Sequence, residues 1–355
     1  MTAPDRTAWS PRLTGGDPEL AARMKRAAGA PGNHRALSVA LIQDGAPRFA
    51  ALGTEDGDTP APAAPDTAFE IGSTAKVLTG MLLSRLAERG TVSPEQPVAE
   101  LLPDRFTGRP AGRALLGDLA AHRSGLPRLH HRSAASALRA SLAARRGRDP
   151  YRGLDRDAFL DRAAAVRGAG PAGTFRYSNL GTALLGHALA AGASPDGEPD
   201  YARLAERELL TPLGMTGTRF HTRARPLPHP AALPHRPGGR PAEPWTSPGY
   251  APSGAGVWST ARDLARLLLA VAEGRAPGAD AARARFDAEG ENRVGRGWFT
   301  RIRADGTEVV WHNGGTGGSA SFIGLVPRTG RAVAVLSNTG HGVDALAARL
   351  LLTDD

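Results

Sequence analysis

The chain has 355 residues, no cysteine and a formal net charge of +9, so disulfides and thiol chemistry are excluded and the length suits a two-part fold. The positive excess comes from arginines scattered among 35 acidic residues, with no basic block interleaved with aromatics, which argues against a nucleic-acid-binding surface. No apolar run is long enough to span a membrane, and the stretch from Met1 to Pro11 has no apolar h-region, so a cytoplasmic location is expected.

In chain order, the first expected element is a helix near Pro18 to Ala28, followed by apolar strands near Ala36 to Ile42 and Pro47 to Leu52. Gly72-Ser73-Thr74-Ala75-Lys76 then opens a second helix, whose apolar body runs from Val77 to Leu86. From about 86 to 245 the pattern is helical and loop-rich, dominated by Ala and Leu. Within it, the Arg-rich segment 128–153 reads as a short basic helix or a loop, and the Pro-rich segment 221–249 cannot hold a long helix. Both are expected to border a cleft and to set substrate preference. Strands follow near Val294 to Arg303, Thr307 to His312, Ser319 to Val326 and Arg331 to Ser337, with short turns that imply antiparallel pairing, and a helix near Val343 to Leu352 closes the chain. The expected fold class is α/β (α+β). An antiparallel sheet domain is built from both chain ends, 1–85 and 246–355, is flanked by helices, and receives a mainly helical domain at 86–245.

The residues with the clearest chemistry are Ser73 and Lys76. Three residues apart, they share a helix face, and the apolar run behind them buries the amine, which lowers a lysine pKa. A lysine that is partly neutral can take a serine proton, the Ser-Lys form of an activated nucleophile. The pattern is specific here because the chain has 17 serines but only two lysines, Lys25 and Lys76, against 42 arginines. About a tenth of an S-x-x-K match is expected by chance. Arg is always charged and cannot act as a base, so a composition this poor in lysine keeps it mainly where Arg would fail.

Two later segments add candidates. Phe175-Arg176-Tyr177-Ser178-Asn179 places a phenol, a hydroxyl and an amide in a turn before an apolar helix, and Trp311-His312-Asn313-Gly314-Gly315-Thr316-Gly317-Gly318 reads as a glycine-permissive strand edge. With the Leu116–Pro127 stretch ending Ser-Gly-Leu-Pro and the Pro252-Ser253-Gly254-Ala255-Gly256 stretch, these segments resemble, in order, the class C beta-lactamase and D-alanyl-D-alanine carboxypeptidase-like family of penicillin-recognising serine hydrolases. The resemblance covers about residues 15–355 and implies a single unit of the beta-lactamase type.

The resemblance implies roles. Ser73 would be the nucleophile, Lys76 its base partner and Tyr177 a second proton carrier, with the choice of base between the last two left open. Asn179 would donate to the substrate carbonyl or hold Lys76. His312, Asn313 and Gly314 would form the substrate-binding strand edge, with His312 completing a network beside Tyr177, and the N–H groups of Ser73 and Gly315 would form the oxyanion hole. One departure bears on function: class C beta-lactamases carry Lys-Thr-Gly where this chain has His312-Asn313-Gly314, an alignment fixed by the following Thr316-Gly317-Gly318. A histidine there resembles the peptidase, esterase and amidase branches, and it would pair with a substrate carboxylate only when protonated.

His122 reads as structural, and His130 and His131 lack partners at metal-ligand spacing, so neither metal nor cofactor is expected. No HExxH, phosphate loop or G-x-S-x-G elbow competes with Ser73. The expected function is hydrolysis of an ester, an amide or a D-amino-acid peptide through an acyl-enzyme on Ser73. Two alternatives stay open: acyl transfer to an acceptor other than water, and a sensor that acylates once and deacylates slowly. The expected partner is a small-molecule or short-peptide substrate, with no nucleic acid and no membrane; the oligomeric state is left open.

Overall fold

The computed structural model describes residues 14–29, 33–54, 62–130, 134–167, 170–194, 197–222 and 225–353. The reading of Met1 to Pro11 and of His131 falls outside them.

The strands, in chain order, are β1 (Thr14–Gly16), β2 (Ala36–Gln43), β3 (Ala46–Gly53), β4 (Phe69–Glu70), β5 (Arg219–Phe220), β6 (Val257–Ser259), β7 (Phe286–Asp287), β8 (Asn292–Val294), β9 (Phe299–Ile302), β10 (Glu308–Gly315), β11 (Ala320–Val326) and β12 (Arg331–Ser337). Nine of them form one antiparallel sheet in the order β1-β3-β2-β12-β11-β10-β9-β8-β7, so the N-terminal hairpin meets the C-terminal strands through the β2–β12 pair, Ala40 opposite Ala334. A small sheet, β4-β6-β5, ties the segment before Ser73 to the segment after residue 256.

The helices are α1 (Pro18–Ala27), α2 (Lys76–Glu88), α3 (Val98–Leu101), α4 (Pro103–Phe106), α5 (Leu116–Ala120), α6 (Ala134–Arg145), α7 (Arg156–Ala164), α8 (Asn179–Gly192), α9 (Tyr201–Ala205), α10 (Ala261–Ala272) and α11 (Asp344–Leu352). The start of α1 is set by Asp17, which accepts from Leu20 N at 3.0 Å, and by Pro18 at the first helical position.

Both faces of the large sheet are covered, which is why β2, β11 and β12 read as nearly continuous apolar runs rather than alternating ones. On one face Leu37, Val39, Leu41, Val333 and Val335 pack with Leu20 and Met24 of α1 and Leu346 and Leu350 of α11. On the other, Ala40, Ile42, Ala334 and Leu336 join Leu264 and Leu268 of α10, and the same core continues through Met81 and Leu82 of α2 into Leu184 and Leu185 of α8. The sheet and the helices of the middle of the chain therefore share one hydrophobic core.

Two expected strands differ. The strand anticipated from Val294 to Arg303 is two strands, β8 and β9, broken at Gly295–Trp298. The cause is α2 crossing there: a Cβ at Gly80 would lie 1.8 Å from Arg296 O, and one at Gly297, whose φ is +76°, would lie 2.4 Å from Lys76 O. The strand anticipated to end at His312 runs on to Gly315. Segment 128–153 contains α6, and segment 221–249 holds no α-helix among its described residues. No helix among the described residues is long and apolar enough to cross a membrane.

Candidate active site

Ser73 lies in a single 3-10 turn, Gly72–Ala75, that runs directly into α2. This turn is held from three sides. Gly72 has φ +49°, and a Cβ there would meet Gly315 O at 2.7 Å and Gly315 N at 2.9 Å, so the turn lies directly against the end of β10. Gly254 has φ +112° and would meet Gly72 O at 2.0 Å, which presses the segment after the 3-10 turn Pro248–Ser253 onto the other side. From below, Ser321 Oγ of β11 donates to Ile71 O at 2.7 Å and lies 2.8 Å from Thr74 Oγ1.

Lys76 is fully buried. Its Nζ donates to Ser253 O at 2.8 Å and lies 2.8 Å from Ser73 Oγ. Burial, and then the positive charge of Arg128, hold its pKa well below the usual lysine range. Neutral, the amine can keep one N–H on Ser253 O and turn its lone pair to the Ser73 hydroxyl.

Tyr177 comes from the turn before α8. Ser178 caps that helix, accepting from Gly181 N at 2.8 Å and donating to Pro127 O at 2.7 Å, so the YSN turn is locked against the loop after α5. Ser73 lies beside the Tyr177 hydroxyl, the Tyr177 ring centroid lies 5.2 Å from Lys76 Nζ, and burial pushes the phenol pKa up to about 12. His122 packs on the Tyr177 ring at 4.4 Å between centroids and accepts from Ser178 N at 3.3 Å. It braces Tyr177 rather than the nucleophile.

Other expected positions separate. Asn179 borders the cavity beside Ser73 and Tyr151, but it is not bonded to Lys76, whose hydrogen bonds go to Ser73 and Ser253; Asn179 Oδ1 has no partner among the described residues. His312 is buried beneath the cleft, 1% exposed, with Nδ1 2.6 Å from Asn313 O. Burial, and then Lys76, lower its pKa to about 3, so it is neutral at ordinary pH and carries no charge for a substrate carboxylate.

Two residues expected to form the substrate-binding strand edge face elsewhere. Successive residues of a strand face opposite sides, and Asn313 points away from the cleft to donate to Asp344 Oδ1 of α11 at 2.6 Å. Gly314 faces the Ser73 turn but leaves no room for a substrate: a Cβ there would lie 2.1 Å from Ile71 O and 2.8 Å from Thr74 N. It is the position through which β10 approaches the nucleophile. Gly315 is open to the cavity. Thr316 N donates to Ser319 O across the hairpin, so the neighbouring Gly315–Ala320 pair is one whose N–H groups point outward, away from β11. Because the pairing of β10 with β9 stops at Trp311, that outward N–H is free to face the cleft. The Ser73 N–H lies in a first helical turn, where no intrahelical acceptor exists.

Four contributors were not anticipated. Arg128 directly follows the Ser-Gly-Leu-Pro stretch, Tyr151 and Trp245 border the cavity from the two segments flagged as cleft loops, and Glu70 precedes Ser73 by three residues. Glu70 is 1% exposed; it accepts from Trp245 N and from Thr316 Oγ1, each at 2.8 Å, and burial raises its pKa to about 8. Arg128 has a signal in its adjacency to a motif, and Tyr151 and Trp245 have only their place in segments expected to border the cleft. Glu70 reaches the site through tertiary packing.

A sequence profile of the Beta-lactamase family matches residues 21–354. The chain belongs to the Beta-lactamase family. Members of this family are serine hydrolases, and the chain has their beta-lactamase/transpeptidase-like fold. It is 30% identical over 328 residues to human putative beta-lactamase-like 1, covering 86% of this chain but 61% of that relative's length. It is 28% identical over 287 residues to the D-alanyl-D-alanine-carboxypeptidase/endopeptidase AmpH of Escherichia coli, covering 74% of this chain and 69% of the relative. A class C beta-lactamase from Rhodobacter sphaeroides superposes with a TM-score of 0.75 at 23% identity, over 97% of this chain and 99% of that one. The D-alanine carboxypeptidase AmpC from Burkholderia cenocepacia gives 0.72 at 25% identity, over 94% and 96%. Against this Beta-lactamase family background, the neutral buried His312 is the feature that sets the site apart from a Lys-Thr-Gly strand edge.

Proposed function

We propose that the protein cleaves an ester or amide bond, including that of a short D-amino-acid peptide, through an acyl-enzyme on Ser73. The observation that carries this reading is the 2.8 Å contact between Ser73 Oγ and a fully buried lysine whose basicity is depressed rather than reinforced by its surroundings. The opposite displacements of Lys76 and Tyr177 divide their roles: near neutral pH the amine is the group free to accept a proton and the phenol the group that has one to give.

In acylation Ser73 Oγ transfers its proton to Lys76 Nζ and bonds to the substrate carbonyl carbon. The carbonyl oxygen takes the negative charge and is met by the N–H groups of Ser73 and Gly315. As the tetrahedral intermediate collapses, the bond to the leaving group breaks, and the Tyr177 hydroxyl supplies the proton that the departing oxygen or nitrogen needs. Tyr177 regains its proton from the Lys76 ammonium, which restores both groups. Water then attacks the acyl carbon, its proton passes to the same base, and Ser73 leaves as the protonated alcohol.

His312, standing where a class C enzyme has lysine, gives no charge to a lactam carboxylate at ordinary pH, so the strand edge lends beta-lactams no preference. The activities that two relatives are named for, a D-alanyl-D-alanine-carboxypeptidase/endopeptidase and the "Unguisins hydrolase" of Aspergillus campestris, fit the proposed bond class. The test is hydrolysis of a short-chain p-nitrophenyl ester by wild type and Ser73→Ala, each quenched for intact mass. Turnover and an acyl adduct confined to wild type are expected; unchanged turnover in the variant would overturn the reading. An adduct without turnover would favour a sensor, and capture of the acyl group by an added alcohol or amine would favour acyl transfer.

A further inference from the structure

The cavity over Ser73 has a volume of about 330 Å³ and is bordered by Gly315, Asn179, Tyr151, Trp245 and Arg128. Among the described residues that line it none is acidic, and Arg128 alone is cationic. Elsewhere in the chain arginines are engaged by carboxylates, as Arg48 is by Asp17, Arg89 by Glu208 and Arg262 by Asp66. Arg128 has no acidic partner among the described residues. Its guanidinium lies 5.3 Å from the Tyr177 ring centroid, an orientation a ring face favours, and this holds it beside the group that serves the leaving atom. The positive charge reaches both Lys76 and Tyr177. On the opposite side of the cleft, the strand edge offers His312, which is buried and neutral, so among the described residues that line the cavity the fixed positive charge a bound substrate meets is on Arg128.

We propose that Arg128 is a specificity-determining residue that binds a carboxylate of the substrate, so that the preferred esters or amides are anionic and carry their charge toward the Arg128 wall. The proposal rests on the serine-hydrolase reading of Ser73. A planar guanidinium with several N–H donors matches a carboxylate in two-point contact, whereas the apolar side chains that share the lining with polar ones, Leu129, Ala140, Ala144 and Trp245, suit the hydrocarbon part of such a substrate. An anion placed there also offsets the repulsion that Arg128 exerts on Lys76, so it favours the step in which Lys76 becomes positive. The net charge of +9 acts in the same direction by drawing anions to the molecule.

The experiment compares two matched ester pairs. One pair places the charge in the acyl group, p-nitrophenyl glutarate against p-nitrophenyl valerate. The other places it in the leaving group, the butyrate esters of 4-hydroxybenzoate and 4-hydroxybenzamide. At low ionic strength wild type is expected to favour the charged member of at least one pair by about tenfold or more in kcat/KM, mainly through KM. Added salt should erode that ratio. Arg128→Gln should bring the ratio to about one, and Arg128→Lys should retain part of it. Because Arg128 is exposed, neither variant threatens the fold. A neutral preference in both wild-type pairs, or a ratio that survives Arg128→Gln, would overturn the proposal. Failure of the underlying reading looks different: Ser73→Ala would hydrolyse as fast as wild type, or no ester would be turned over. In the latter case calorimetry of p-nitrophenyl glutarate with Ser73→Ala and with the Ser73→Ala/Arg128→Gln double variant decides. Binding weakened about tenfold in the double variant supports the carboxylate site; equal or absent binding in both overturns it.

Discussion

On the strand side of the cleft, positions are fixed by backbone, since Gly72, Gly254 and Gly314 let three segments approach within distances that a single Cβ would forbid. On the other side the wall is made of side chains that arrive from separate segments: Arg128 after α5, Tyr151 before α7, and Trp245 from the loop ahead of β6. The first side has one workable geometry, and the second can change residue by residue while the first stays still. In the proposed mechanism the nucleophile and the oxyanion donors belong to the strand side, and the proposed carboxylate site belongs to the side-chain wall. Variants on the two sides should fail in different ways: loss of rate for all substrates on one, altered preference among substrates on the other.

The largest effect is expected at Lys76. Arg is permanently charged and cannot accept the Ser73 proton, and the Lys76 site already disfavours a charge through burial and Arg128. Lys76→Arg should lower kcat by about 10²–10⁴ for neutral and anionic esters alike. In wild type the same chemistry gives an acid limb: activity falls as pH drops through the depressed pKa of Lys76, because the protonated amine has no lone pair to offer. An activity that tracks Tyr177 near pH 12 instead would reassign the base.

Gly314→Ala should come next. Its Cβ would lie 2.1 Å from Ile71 O, so β10 must retreat from the nucleophile turn and take the Gly315 N–H with it. Losing one oxyanion donor costs about 10²–10³ in kcat. The ratio between charged and neutral esters should be unchanged, which separates this variant from Arg128→Gln. An altered ratio with an intact rate would mean that the two sides of the cleft are not independent.

The difference between the two sides also explains what could be read from the chain. Ser73, Lys76 and Tyr177 were named because their spacing and order are local, and β2, β3, β11 and β12 because two-sided burial leaves long apolar runs. The break between β8 and β9 was missed because its cause is remote: the strand bends where α2 crosses it. Asn313 and Gly314 were misplaced for a related reason, since neighbours in a strand face opposite ways and a motif does not say which member faces the cleft. Glu70 was invisible because its partners, Trp245 and Thr316, are 175 and 246 residues away.

Glu70 joins the two sides. One carboxyl oxygen accepts from Trp245 N in the side-chain wall and the other from Thr316 Oγ1 next to the oxyanion position. Burial, opposed by these hydrogen bonds and reinforced by Asp149, raises its pKa from 4.5 to about 8. A raised folded-state pKa means that the folded protein binds more protons than the unfolded chain between those values, so stability falls as pH rises from about 4.5 through 8. Glu70→Gln, which cannot ionise, should flatten that part of the Tm–pH curve. An unchanged Tm slope would show that Glu70 ionises freely in the fold.

The smallest effect is expected at Asn313, one residue from the buried histidine and one from the glycine that touches the nucleophile turn. Its side chain leaves the cleft face altogether and donates to Asp344 on α11, at the protein surface. Asn313→Ala should therefore leave kcat and KM within about twofold for both ester pairs and cost about 0.5 kcal/mol or less in stability, as surface substitutions usually do. Combined with Gly314→Ala, it measures how sharply function divides between the two faces of a single strand. A loss of rate at Asn313 comparable to that at Gly314 would mean that the β10–α11 contact transmits position to the oxyanion edge, and the substrate side would then have to be sought on both faces of β10.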